Sequence, residues 1–222
     1  MTFKEFREKD LGRVVKTVLI SLITSFAVFL IVYFLKLRYV DNFMPKFGFY
    51  IFFAILSYAM IMPSLKKVRG YDELPCMSGM MIGMTIGMIA GLLSGFFVGA
   101  TNGMFIGSIF GMLVGITFGV WAGKCCGIMG IMEGMMAGFM GGLMGAMTAL
   151  MMFNDNLKVA GIIVFVISSV IIMGLNFLIY RETKSFDEKF NSEELFTVVL
   201  SFILTTLTIW LSVFGPRSVL FQ

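Results

Sequence analysis

The chain has 222 residues, 59% of them hydrophobic, with a formal net charge of +4 and no histidine, and its mean hydropathy is +0.95. Its apolar runs each match the ~20 residues that cross a ~30 Å hydrocarbon core, which excludes a separate soluble domain and predicts an integral membrane protein. The modest charge lies in loops, where it reports membrane orientation and not nucleic-acid binding. Without histidine there is no imidazole ligand and no His-based catalytic set. No phosphate-binding loop is present, which argues against ATP-driven pumping, and no nucleophile-and-base constellation is visible, so the chain is expected not to be an enzyme.

Along the chain, residues 1–16 mix basic and acidic side chains, and the apolar run after them is too long for a signal-peptide core and lacks a small-residue cleavage site. These residues are expected to be a cytoplasmic segment, and the run the first span. Hydropathy predicts about seven spans, at 17–35, 47–64, 78–99, 103–122, 128–152, 159–180 and 195–214. The expected fold is therefore an all-α polytopic transmembrane bundle, one domain over 1–214, with a glycine-zipper core in spans three to five. The ending GPRSVLFQ, 215–222, reads as a tag remnant. The first two spans are aromatic and rich in Leu and Ile, and end at the charged linker KKVRGYDELP. The third to fifth are separated only by the turn signals ATNG and GKCCG, which imply antiparallel neighbours.

With the N-terminus inside, the inner loops carry twelve Lys and Arg residues and the outer ones four before Arg217. The positive-inside rule then puts the N-terminus in the cytoplasm and the C-terminus outside a multi-pass cell membrane protein.

The central block, 76–152, holds the chain's most specific pattern. Thirteen glycines recur every fourth residue from Gly79 to Gly127, and sixteen of the twenty-one methionines lie between Met77 and Met152. The glycine register slips by one at Gly130 and resumes at Gly134, Gly138 and Gly142. Residues four apart advance ~40° beyond a full turn, so the smooth stripe winds around each helix and lets backbones approach closely in lipid. Methionine is also a pliable filler that suits gaps beside glycine.

Three cysteines, Cys76, Cys125 and Cys126, are expected at the cytoplasmic ends of the central spans, where thiols stay reduced and a metal or redox role is the sharper reading. Met77, Met80, Met129 and Met132 share that rim. Met80, Met84 and Met88 form one ladder; Met132, Met136, Met140 and Met144 form a second. Thiolates and thioethers select soft ions such as copper(I), and rungs ~6 Å apart suit transfer. Glu133 is the only acidic or basic residue clearly inside a span, where a carboxylate marks a cavity, a partner or a cation path.

The M-x-x-x-M pairs, such as Met84 to Met88 and Met132 to Met136, beside G-x-x-x-G packing resemble the elements of eukaryotic high-affinity copper transporters. That resemblance covers the central block by residue type; it implies a trimeric assembly that passes copper(I) through methionine rings to cytosolic acceptors. Here there are more spans than the three of that family, and no histidine. The expectation is a channel or carrier for copper(I) or another soft cation as substrate, in a homo-oligomer within the lipid bilayer, served by a cytosolic metal chaperone. The alternatives are a glycine-zipper scaffold subunit, and a metal-independent ion or mechanosensitive channel gated by Phe97, Phe105 or Phe110.

Overall fold

The computed structural model describes residues 11–35, 47–69, 76–153, 155–183 and 194–215. These are helical apart from short turns, with no strand among the described residues. The helices are α1 Leu11–Leu35, α2 Phe49–Arg69, α3 Cys76–Asn102, α4 Met104–Gly123, α5 Gly127–Met151, α6 Leu157–Thr183 and α7 Glu194–Phe214, with a 3₁₀ turn at Lys124–Cys126. Residues 1–10 of the expected cytoplasmic segment and 216–222 of the expected tag remnant lie outside the described residues.

Five stretches are long and apolar enough to cross a membrane: Val15–Val32, Phe49–Val68, Cys76–Asn102, Met104–Met151 and Leu157–Arg181; Thr197–Ser212 is a shorter apolar helix. The 48-residue stretch Met104–Met151 is α4 and α5 folded back on each other, because Gly119 lies against Gly134 and Gly123 against Gly130. The second helix runs on beyond the expected end of its span, through Pro63 to Arg69. Proline there removes one backbone hydrogen bond. Burial of Tyr58, Ile61, Met62 and Leu65 on either side holds the helix together.

The tightest packing joins α3, α4 and α5, and glycine makes it possible. Three glycines meet in each successive layer. A methyl group placed on Gly87 would come within 2.9 Å of the Gly119 Cα and of the Gly134 carbonyl oxygen. One turn on, a methyl on Gly115 would lie 2.7 Å from the Gly138 oxygen and 2.9 Å from the Gly91 Cα. In the next layer, Gly111 would meet the Gly95 Cα at 2.7 Å and the Gly142 Cα at 3.0 Å. Backbone therefore fills the centre of this unit, with α4 antiparallel to both α3 and α5.

Two members of the register serve as turns instead. Gly103, between α3 and α4, has φ 103°, and Gly127, at the start of α5, has φ 67°. Only glycine adopts such conformations at little cost.

The remaining helices pack on one side of this unit. α2, α6 and α7 contact α3, and α1 contacts α2 and α7, whereas α5 packs mainly on α3 and α4. The helices alternate in direction: Gly161 near the start of α6 faces Phe96, Phe97 and Phe49, while Asn102 at the end of α3 donates to the carbonyl of Leu211 near the end of α7. Arg69, Lys124 and Arg181 consequently share the end of the bundle where α3 begins, and Lys158 lies at the other.

A second small-residue seam joins α1 to α7. Thr17, Ser21 and Ser25 on α1 and Thr197, Ser201, Thr205, Thr208 and Ser212 on α7 are all buried. The Ser21 and Ser201 hydroxyls hydrogen-bond at 2.8 Å. Thr205 and Thr208 donate to the Ser201 and Leu204 carbonyls of their own helix at 2.7 and 2.9 Å, so these two hydroxyls are satisfied within α7.

Candidate functional site

Folding α4 back onto α3 returns the chain to the level where α3 began, and the 3₁₀ turn delivers two thiols to a third. The Cys126 thiol donates to the Cys76 carbonyl oxygen at 3.3 Å, and the Cys76 sulfur lies 4.0 Å from the Cys126 carbonyl oxygen. Cys125 donates to the Ala122 carbonyl at 3.4 Å, and its sulfur stands 3.8 Å from that of Cys126. Gly79, the first member of the register, explains the fit: both sulfurs rest against its bare backbone, and a Cβ there would overlap the Cys126 sulfur.

All three cysteines are free thiols; Cys76 is exposed and the other two are half-buried. The turn lies between α4 and α5, outside either helix. Burial raises the Cys125 thiol above its ordinary range. Burial first, then the nearby Cys125 and Cys76 thiols, pushes up Cys126. Both are therefore protonated at neutral pH, and a cation binding as a thiolate complex must displace those protons.

Two sulfurs that hold one ion at ~2.3 Å with a tetrahedral angle stand ~3.8 Å apart, which is the Cys125–Cys126 separation. Among the described residues no group of three or more His, Cys, Asp or Glu side chains is arranged to hold a metal ion. The arrangement at this end is thus a thiol pair with thioethers nearby, and not a three-thiol cage.

The methionines lie on the outside of the glycine unit. Met77, Met84 and Met88 of α3 are exposed, as are Met129, Met132, Met136, Met140 and Met144 of α5, with Met77 at 78% and Met136 at 64%. Met80 and Glu133 are half-buried. No stripe runs between α3, α4 and α5, because glycine backbone occupies that space.

The helices that carry the two ladders nevertheless pack side by side. Gly141 abuts the Met88 backbone and Gly145 the Leu92 backbone, which sets α3 and α5 parallel in a fixed register. Stepping back four residues at a time pairs Ala137 with Met84, Glu133 with Met80 and Met129 with Cys76. This register sets Glu133 level with Met80 and puts the thiols at one end, while the α5 ladder lies one residue round the helix from the row that meets α3 and is exposed.

Of the aromatic residues considered as gates, Phe97 and Phe110 are buried and Phe105 is 75% exposed. Phe97 stacks on Phe53 with centroids 6.2 Å apart, as part of the contact between α3 and α2. The hydroxyl seam was missed in the sequence, although its signal was present as Ser and Thr at four-residue spacing in the first and last spans. Comparison with protein-family models, curated proteins and solved structures found no match to this chain.

Proposed function

We propose that the chain is a seven-pass membrane protein with a glycine-zipper core that moves a soft cation of the copper(I) type. The observation that carries this reading is the convergence of three thiols, from segments 50 residues apart in sequence, at one end of two adjacent helices that each carry a methionine ladder. Thiol and thioether sulfur favour soft cations over hard ones. Cys76, Cys125 and Cys126, with Met77 and Met129 beside them, would load or receive the ion. Met80, Met84 and Met88 on one helix and Met132, Met136, Met140 and Met144 on the other would relay it, with Glu133 supplying negative charge.

Because the ladders lie on an outer face, a second copy of the chain in the bilayer would complete the path, as in a homo-oligomer. The excess of basic residues at the thiol end supports a cytoplasmic N-terminus, an outside C-terminus and a cytosolic chaperone as the metal partner. Glycine pairing within one chain supports reading the repeat as internal packing, and it lowers the case for a copy-to-copy glycine zipper.

The test is copper(I) titration of purified protein under reducing conditions, wild type beside a variant with all seven ladder methionines changed to Leu. Leu keeps bulk and apolarity, so each exposed change should cost under ~1.5 kcal/mol. The expected outcome is stoichiometric binding in the wild type and its loss in a variant that stays folded. Absence of binding in both proteins would sink the reading.

A further inference from the structure

We propose that Cys76 and Cys126 form a reversible disulfide that clamps the first turn of α3 to the α4–α5 turn, making the thiol end of the molecule a redox switch. The two residues already face each other in a reciprocal way, each sulfur directed at the other's carbonyl oxygen, at 3.3 Å from Cys126 and 4.0 Å from Cys76. Cys76 is exposed, so an oxidant reaches it first. Cys125 is held back by its contact with the Ala122 carbonyl.

Selectivity follows from backbone geometry. Although the Cys125 and Cys126 sulfurs are 3.8 Å apart, adjacent residues have Cα atoms ~3.8 Å apart across a trans peptide, below the ~4.4–6.8 Å that disulfides ordinarily span. A vicinal bridge would have to distort the 3₁₀ turn. A bridge from Cys126 to Cys76 crosses between two segments that Gly79 allows to touch. Its sulfur sits against the Gly79 backbone, less than one helical turn from Cys76.

The chemistry uses a peroxide as oxidant. The Cys76 sulfur attacks one peroxide oxygen, the O–O bond breaks, and the products are a sulfenic acid at Cys76 and one water. The Cys126 thiol, losing its proton, then displaces the hydroxyl from the Cys76 sulfur, forming the S–S bond and a second water. In total two thiols give up two electrons and two protons, and hydrogen peroxide becomes two waters. A small dithiol reverses the bridge by exchange, itself ending as a disulfide. If the soft-cation reading above holds, oxidation also removes two sulfur donors from the loading end.

The experiment uses the full-length, metal-free protein in mild detergent, with and without hydrogen peroxide, followed by denaturation, maleimide labelling and peptide mapping by mass. Two of the three thiols should become unreactive, with the Cys76 peptide joined to the peptide carrying Cys125 and Cys126, and a reducing dithiol should restore all three. Cys125→Ser should still form the bridge, while Cys76→Ser and Cys126→Ser should not. A link between Cys125 and Cys126, a link between two chains, or three reactive thiols at a dose that oxidises a free cysteine peptide overturns the proposal. Copper(I) titration of the bridged protein is a separate arm. Loss of binding supports thiols as copper donors, whereas unchanged binding leaves the redox pair standing and removes the cysteines from the proposed metal path.

Discussion

The glycine unit of α3, α4 and α5 and the hydroxyl seam between α1 and α7 solve the same problem by different means. Lipid gives helices no reason to associate by excluding water, so association depends on close packing and on hydrogen bonds between helices. In the glycine unit the side chain is removed altogether, and Gly91, Gly115 and Gly138 touch through backbone atoms. Along the α1–α7 seam small side chains remain, and one of the contacts is a hydroxyl pair, Ser21 with Ser201. Backbone contact is close but has no slack, because a peptide cannot move aside as a rotamer can. A seam of Ser and Thr gives up some proximity and gains a local, replaceable interaction.

This contrast yields three expectations of decreasing size. Gly115→Leu should do the most damage, since its new Cβ would lie 2.7 Å from the Gly138 oxygen and only backbone could yield. Overpacking typically costs ~1–3 kcal/mol, and this site should reach the top of that range or lose the fold, seen as a lower melting temperature or aggregation during size exclusion. A melting temperature equal to wild type would show that the glycine layers tolerate expansion.

In the seam, Ser21→Ala or Ser201→Ala should each cost about 1 kcal/mol, by stranding one buried hydroxyl. The double variant should cost less than the sum of the two, and strict additivity in denaturant unfolding would mean that the 2.8 Å contact contributes nothing. The smallest effect, with the opposite sign, is expected at Gly174 of α6, where an added Cβ meets nothing within 4 Å. Gly174→Ala should stabilise by about 0.5–1 kcal/mol, through helix propensity alone. Destabilisation there would mean that this glycine face is covered by a partner.

Much of the architecture was legible beforehand because it depends on local periodicity. The described residues are helical, as the apolar runs predicted, with five stretches long and apolar enough to cross a membrane, and the turns ATNG and GKCCG became Gly103 and the Lys124–Cys126 turn. The meeting of Cys76 with Cys125 and Cys126 was also readable, since two short turns must return the chain to its starting level. Helix ends were less so: α2 continues to Arg69 because its buried neighbours outweigh the proline. The seam between the first and last helices escaped notice because Ser and Thr at spacing four carry no hydropathy signal, and their pairing joins residues 180 apart.

By itself, the sequence determined that the chain is apolar and helical, where glycine would permit close approach, and that sulfur concentrates in the centre. Those properties follow from residue type and from the period of the helix. Only the tertiary structure decided which faces were used. A glycine stripe winds around its helix and could meet any neighbour, and α3, α4 and α5 settled the choice by meeting one another in layers of three. Once backbone had taken the centre, there was no volume left for a thioether, and the methionines were turned outward to the surface that α5 leaves uncovered.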